Sequence, residues 1–176
     1  MKSIILFRHG KSDWYSNYSR DLNRPLNERG KKSAKMMGNY LATINEIPEK
    51  IICSTSLRTK STAFLAIKKG NWNSQLELNE NIYNSSKAIF FSIIKKQNPT
   101  IKKICIVGHE PSLSSFINQT TNSRIMKFPT AAMARIDFVS DIWEKINFMN
   151  GKLIWLKKPK EILRSNDGNA FLHSVY

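Results

Sequence analysis

Short apolar runs rich in β-branched residues alternate along most of this chain with segments of helical periodicity. The strand-like runs lie at residues 3–7, 50–54, 76–78 and 103–107. The helical segments lie at residues 28–44, 57–69, 85–97 and 111–119. Strands that alternate with helices are typical of βαβ units. The sequence therefore predicts an α/β fold with a mainly parallel sheet that is covered by helices on both faces.

Polar residues mark the starts of two predicted helices. Asn27 and Ser56 are of the types that cap helix N-termini, and Pro111 suits the first turn of a third helix. The helix at 57–69 is expected to turn one set of side chains toward the core, namely Leu57, Ser61, Phe64, Leu65 and Ile67.

After residue 130 the helical pattern gives way to strand patterns. Apolar and polar residues alternate from Ala132 to Phe138, and residues 153–156 form a last short apolar run. The chain turns polar after Pro159, and residues 165–169 are expected to be loose. A length of 176 residues with 41% hydrophobic content suits one core without disulfides or metals. We predict a single domain over residues 1–160 and a C-terminal tail over residues 161–176.

The two cysteines and the apolar runs bear on the cellular location. Cys53 and Cys105 each lie in an apolar run and are predicted to be buried strand residues, not metal ligands or part of a disulfide framework. No apolar stretch approaches the roughly 18 residues of a membrane span, and the N-terminal run ends early, at Arg8. The sequence predicts a cytoplasmic protein without a membrane span. It leaves the oligomeric state open, with a monomer favoured.

The formal net charge is +15, and it has three interpretations. It indicates a lysine-rich surface without a specific role, a surface that binds an acidic or phosphorylated partner, or a surface that binds nucleic acid. Paired lysines are scattered along the chain, at 31–32, 68–69, 95–96, 102–103 and 157–158. This scatter favours the first interpretation, keeps the second open and argues against nucleic acid.

Three strand ends carry basic or imidazole side chains. Arg8 and His9 end the first strand, Arg58 lies in the first turn of the helix after the second strand, and His109 ends the strand at 103–107. Ligands of such sheets bind beyond the carboxyl ends of the strands. Two guanidinium groups suit a phosphoryl group, one neutral imidazole can attack phosphorus, and another can stabilise the transition state. No carboxylate cluster accompanies the histidines, so no metal or other cofactor is predicted.

The segment Ile5-Leu6-Phe7-Arg8-His9-Gly10-Lys11-Ser12-Asp13-Trp14 resembles the opening of the histidine phosphatase superfamily, in its small phosphohistidine phosphatase branch. Further motifs of this phosphoglycerate mutase-like group follow in order over most of the chain. They lie at residues 21–30, 54–63, 82–83, 107–113, 128–131, 143 and 158–160.

The resemblance implies a three-layer α/β/α sandwich and a metal-independent phosphatase with a phosphohistidine intermediate. His9 would be the nucleophile, Arg8 and Arg58 the phosphate-binding residues, and His109 a transition-state partner. Only about fifty residues separate Arg58 from His109, so the large helical cap of bigger relatives is absent. An open site suits a bulky phosphorylated substrate such as a phosphohistidine protein.

The roles of three residues stay open. Glu110 follows the second histidine, where small members commonly have Asn, and it is either a general acid or a carboxylate favoured at a helix start. Glu80 is the rival proton donor. Arg24 either reaches the substrate or supports a loop.

Other functions remain as alternatives to a protein phosphohistidine phosphatase. One is a small-molecule phosphomonoesterase of the same superfamily, and a mutase is disfavoured because the capping insertion is missing. A different class is a basic module that binds nucleic acid or acidic partners. An inactive relative is disfavoured because all four central residues are present.

Overall fold

The computed structural model describes residues 1–83 and 87–164. The strands are β1 (Lys2–Arg8), β2 (Lys50–Cys53), β3 (Gln75–Leu78), β4 (Lys103–Gly108), β5 (Met133–Phe138) and β6 (Gly151–Lys157). The helices are α1 (Glu28–Thr43), α2 (Leu57–Gly70), α3 (Lys87–Lys95) and α4 (Ser112–Thr120), followed by a helical segment at 159–164. Three short 3-10 turns lie at Asp21–Asn23, Glu80–Ile82 and Trp143–Lys145.

The six strands form one mixed sheet in the order β3-β2-β4-β1-β5-β6. The first four strands of this order run parallel, whereas β5 is antiparallel to β1 and β6 is antiparallel to β5. Arg8 pairs with Gly108, and Cys53 pairs with Val107. The carboxyl ends of β1, β2 and β4 are therefore level, and the residues that follow them lie at one edge. The mainly parallel sheet is confirmed.

Successive residues of the central strands pack on opposite sides of the sheet. Ile4 and Leu6 join an apolar cluster with α3 and α4, whereas Ile5 and Phe7 join a second cluster with α1 and α2. Two helical layers thus enclose the sheet, which confirms the three-layer α/β/α arrangement. Within the described residues, no large helical insertion lies between α2 and β4.

The starts of α1 and α2 agree with the sequence. Asn27 Oδ1 accepts a hydrogen bond from Gly30 N at 2.8 Å, and Ser56 Oγ accepts one from Thr59 N at 3.3 Å. The third predicted start is shifted slightly, because Pro111 precedes α4 instead of lying inside it. Residues 85 and 86 of the predicted helix at 85–97 lie outside the described residues.

The predicted inward face of α2 is wrong for Leu57 and Phe64, whereas Ile67 packs against the cluster on the α1 and α2 side. Phe64 is 60% exposed and Leu57 is 38% exposed. The buried face consists instead of Arg58, Thr59, Thr62, Ala63, Ala66 and Gly70. The reason is a close approach to α1, since a Cβ on Gly38 would lie only 2.4 Å from the Ala66 backbone. Only small side chains fit there, so hydrophobicity is a poor guide to this face.

Both cysteines are fully buried in the cluster on the α1 and α2 side, as the apolar runs predicted. Burial raises the pKa of Cys53 to about 12, so this thiol is not reactive at neutral pH. Ile162 packs in the same cluster, whereas residues 165–176 of the predicted tail lie outside the described residues. Over residues 1–83 and 87–164, no helix has the length and apolar character needed to cross a membrane.

Candidate active site

His9 follows β1 and is held on both sides of its backbone. Its N–H donates to Gly108 O at 3.2 Å, and its carbonyl oxygen accepts from Ala131 N at 3.0 Å. The side-chain Nδ1 lies 2.7 Å from Gly10 O. A carbonyl oxygen can only accept, so Nδ1 carries the proton and Nε2 keeps its lone pair. This is the tautomer that a nucleophilic histidine requires.

The surroundings of His9 also keep its ring neutral. Burial lowers the pKa of His9 to about 4, and the positive charges of Arg58, Arg8 and Arg24 add to this effect against the opposing bond to Gly10 O. At neutral pH the imidazole is therefore uncharged and available to attack an electrophile.

His109 lies beside His9, with 5.2 Å between the ring centroids. Its Nε2 lies 2.8 Å from Ser54 Oγ, and its Nδ1 is buried without a hydrogen-bond partner among the described residues. Burial lowers the pKa of His109 to about 3, and the neighbouring His9 and Arg58 contribute. If the Ser54 hydroxyl donates to Nε2, the proton on Nδ1 is free for a ligand.

Arg58 stands in the first turn of α2, and its side chain is only 6% exposed. Its guanidinium donates through Nη1 to Asp21 O at 2.7 Å and through Nη2 to Asp21 Oδ2 at 2.9 Å. Arg8, at the end of β1, donates through Nη1 to Phe128 O at 2.8 Å. Both arginines are thus oriented by fixed acceptors, while part of each guanidinium group stays available.

Unpartnered buried atoms concentrate at this site. Five buried side-chain nitrogen or oxygen atoms lack a partner among the described residues, and three of them are Arg8 Nε, Arg58 Nε and His109 Nδ1. A buried donor without a partner is costly, and such cases usually have a functional explanation. All three belong to residues that line one cavity, so an anionic ligand would satisfy them.

The cavity has a volume of about 320 Å³. It is lined by Arg8, His9, Lys11, Ser12, Trp14, Arg24, Arg58, His109, Glu110 and Thr130. The structure therefore brings the four predicted central residues together. No group of three or more histidine, cysteine or carboxylate residues in the described part of the chain could hold a metal ion.

Asp21 organises the arginines, and sequence reasoning had noted it only as part of a motif. Its carboxylate accepts from Arg58, from Arg24 Nε at 3.0 Å and from Tyr83 Oη at 2.8 Å. Burial raises the pKa of Asp21, but the Tyr83 hydroxyl and the two arginines outweigh this and bring it below its ordinary value. Tyr83 likewise lies in one of the motifs, at residues 82–83, and it packs edge-on against His109 with 5.5 Å between the ring centroids.

Arg24 performs the first of the two roles considered for it, which is to support a loop. It donates to Ser12 Oγ at 2.9 Å and to Asp21, and its guanidinium stacks 3.4 Å above the Trp14 ring. These contacts support the loop after β1. Arg24 also lines the cavity, so its predicted contact with substrate remains a prediction.

The two proton-donor candidates are placed differently. Glu110 lines the cavity, but its oxygens accept from Ser114 N at 3.1 Å and from Ser114 Oγ at 2.6 Å in the first turn of α4. These bonds are those expected of a carboxylate at a helix start. Glu80 is exposed in a 3-10 turn and is not among the residues lining the cavity.

Two glycines let the start of α1 press against the loop that carries His9. A Cβ on Gly30 would lie 2.1 Å from Lys11 O, and a Cβ on Gly10 would lie 2.7 Å from Gly30 O. Gly10 N also donates to Thr62 Oγ1 at 3.0 Å. Helices α1 and α2 thus fix the loop, and with it the His9 ring.

The fold and cavity define an α/β protein with a cationic, two-histidine pocket at the carboxyl edge of its parallel strands. The chain belongs to the histidine phosphatase superfamily, whose branch 1 model matches residues 4–99. A protein of unassigned function from Mycobacterium leprae (strain TN) is 26% identical over 165 residues, covering 87% of this chain and 99% of that protein. These findings support a phosphatase.

Solved structures show the same fold. A SixA chain from Agrobacterium tumefaciens, provisionally described as a phosphohistidine phosphatase, superposes with a TM-score of 0.78 and 23% identity, covering 90% of this chain and 98% of that one. The protein histidine phosphatase SixA complexed with tungstate superposes with a TM-score of 0.79 and 19% identity, covering 91% and 99%. The fold is thus that of the small, SixA-like members.

An NMR titration of the His9 ring is expected to give a pKa near 4, well below the ordinary value of 6.5, because burial and three arginines oppose its protonation. Between pH 4 and pH 6.5 the unfolded chain therefore binds more protons than the folded chain. The contribution of His9 to stability is therefore fully present above pH 6.5 and is lost as the pH falls toward 4. His9→Gln identifies the resonance; a titration midpoint at 6 or above would contradict the neutral buried ring.

Proposed function

We propose that this protein is a metal-independent phosphatase that acts on protein phosphohistidine through a phosphorylated His9. The observation that carries the proposal is a set of three buried side-chain nitrogens without a partner among the described residues, Arg8 Nε, Arg58 Nε and His109 Nδ1, all on residues that line one cavity. These donors match the oxygens of a tetrahedral oxyanion. Tungstate, which the SixA structure contains, is an oxyanion of this shape.

The first chemical step is attack on phosphorus by the lone pair of His9 Nε2. The new phosphorus–nitrogen bond forms as the bond to the leaving group breaks, and the leaving group takes the bonding electrons and a proton from solvent water. The Nδ1 proton of His9 stays on its bond to Gly10 O, which stabilises the charge that develops on the ring. Arg8, Arg58 and His109 hold the phosphoryl oxygens.

The second step is attack by water on the phosphorylated His9. Its phosphorus–nitrogen bond breaks with the bonding electrons returning to Nε2, inorganic phosphate forms, one proton of the attacking water passes to solvent, and the neutral imidazole returns. The same donors serve both steps because the phosphoryl group moves only a short distance between leaving group, His9 and water. No step in this scheme requires a metal ion.

The state of Glu110 favours phosphohistidine over phosphate esters. An alkoxide is a poor leaving group and needs a general acid, whereas an imidazole leaving group needs little help. Both Glu110 oxygens are occupied by Ser114, and Glu80 does not line the cavity. Within the described residues no large insertion lies between α2 and β4, which also suits a substrate carried on a protein surface.

The proposal is tested by phosphate release from two peptides of identical sequence, one with phosphohistidine and one with phosphoserine. We expect kcat/KM to be about 100-fold higher for phosphohistidine, because the ester lacks an acid worth about that factor. An excess of chelator should leave both rates unchanged. Faster phosphoserine cleavage would favour a phosphomonoesterase instead, and inhibition by chelator would contradict a metal-independent reaction.

A further inference from the structure

A second cavity, of about 450 Å³, adjoins the candidate active site. It is called here the basic groove, and it is lined by Arg8, Lys11, Arg29, Lys127, Pro129, Thr130, Lys158 and Lys160. Arg8, Lys11 and Thr130 also line the active-site cavity, so the two spaces meet there.

The basic groove concentrates positive charge from four separate parts of the chain. Six of its eight lining residues are lysine or arginine, and none is acidic. They come from the loop after β1, the first turn of α1, the segment before β5 and the segment after β6. The sequence shows these cations as unrelated positions, and only the fold gathers them beside Arg8.

Most of this charge is not compensated within the described residues. Lys158 pairs with Glu161 at 3.7 Å, and nearby Glu28 pairs with Lys31. Lys11, Arg29, Lys127 and Lys160 are exposed, and no ion pair in residues 1–83 and 87–164 involves them. Like charges held together repel one another, so the groove favours an anion over an empty state.

We propose that the basic groove binds a second anionic group of the same substrate whose phosphoryl group enters the active-site cavity. This inference rests on the proposed function, because it assigns the groove to that reaction. The preferred substrates then carry a phosphate or carboxylate next to the scissile phosphoryl group. Such a group belongs either to a small bisphosphate or to acidic side chains beside a phosphohistidine.

Two substrate pairs distinguish these sources. The first compares a hexose bisphosphate with the matching monophosphate, and the second compares phosphohistidine peptides flanked by glutamate or by glutamine. We expect at least one pair to differ in kcat/KM by about tenfold or more, in favour of the more anionic member, since several surface ion pairs together supply a factor of that size. The pair that differs identifies the source of the second anion.

The groove is tested by the triple variant Arg29→Gln, Lys127→Gln and Lys160→Gln, which removes three positive charges but no residue of the active-site cavity. The preference for the more anionic substrate should fall about tenfold. A matched control, Lys35→Gln with Lys68→Gln and Lys69→Gln, removes the same charge around a different surface cavity and should keep the preference. Equal losses in both variants would show that net charge alone causes the preference, and they would overturn the proposed role of the groove.

A binding measurement separates this inference from the proposed function. Inorganic tripolyphosphate is titrated into His9→Ala protein with and without the triple groove substitution, so no turnover is required. We expect tripolyphosphate, but not inorganic phosphate, to bind about tenfold more weakly without the groove cations. Unchanged tripolyphosphate affinity overturns the groove. Wild-type protein that binds tripolyphosphate through the groove but hydrolyses none of the substrates overturns the proposed function alone.

Discussion

Replacing His9 with alanine is expected to lower phosphatase activity by about 10⁴-fold or more, to the level of the background. The ring is the only described group that combines a free nitrogen lone pair, a fixed tautomer and a neutral state inside the cavity. Water cannot replace it, because the proposed reaction passes through a bond between phosphorus and His9 Nε2.

The decisive measurement is trapping of the phosphorylated protein with a substrate labelled on its phosphoryl group. Wild-type protein should carry a label that is stable in alkali and lost in acid, as expected of phosphohistidine, and His9→Ala should carry none. His109→Ala should still accept the label, more slowly, because His109 holds the phosphoryl oxygens without bonding to phosphorus. His173→Ala is the control for the remaining histidine. If the His9→Ala protein has the melting temperature of wild type and still carries label, the mechanism is contradicted.

Replacing Arg58 with lysine is expected to lower kcat/KM by about 100-fold or more although the positive charge is kept. The guanidinium donates twice to Asp21, and its Nε has no partner among the described residues. An ammonium group is a single point of charge and cannot make these bonds in fixed directions at once. The loss should appear mainly in kcat, because the donors are set for charge that develops in the transition state.

Arg24→Lys is the matched control for this prediction. Arg24 also bonds to Asp21, but it is tied to Ser12 and to the Trp14 ring in the loop after β1. We expect a smaller loss, about tenfold, and a larger share of it in KM. If Arg58→Lys were as active as wild type, Arg58 would have no role in stabilising the transition state and would only support Asp21.

The alternation of strands and helices was readable from the chain because burial on two faces requires continuous apolar strands. The helix caps at Asn27 and Ser56 were also predictable from the sequence, because each cap bonds to a residue only three positions away. The inward face of α2 was not readable in this way. It is decided by contact with Gly38 of α1, so small residues are buried there and Phe64 is exposed.

The electrostatic state of the site depends on the fold as well. The sequence predicts Arg8, His9, Arg58 and His109 at strand ends, but the carboxylate that orients Arg58 comes from Asp21, which lies in a separate 3-10 turn. Tyr83 reaches the same carboxylate from beyond β3. These contacts join residues far apart in sequence, so no local pattern announces them.

The α/β class, the starts of α1 and α2 and the kinds of side chain at the strand ends follow from the sequence alone, because each depends on short-range periodicity or on side-chain chemistry. The tautomer and neutrality of His9, the hydrogen bonds that Glu110 accepts from Ser114 and the assembly of the basic groove all depend on the tertiary structure. The physical reason is that pKa values, hydrogen-bond partners and local charge density depend on distances across the fold, which the order of residues does not contain.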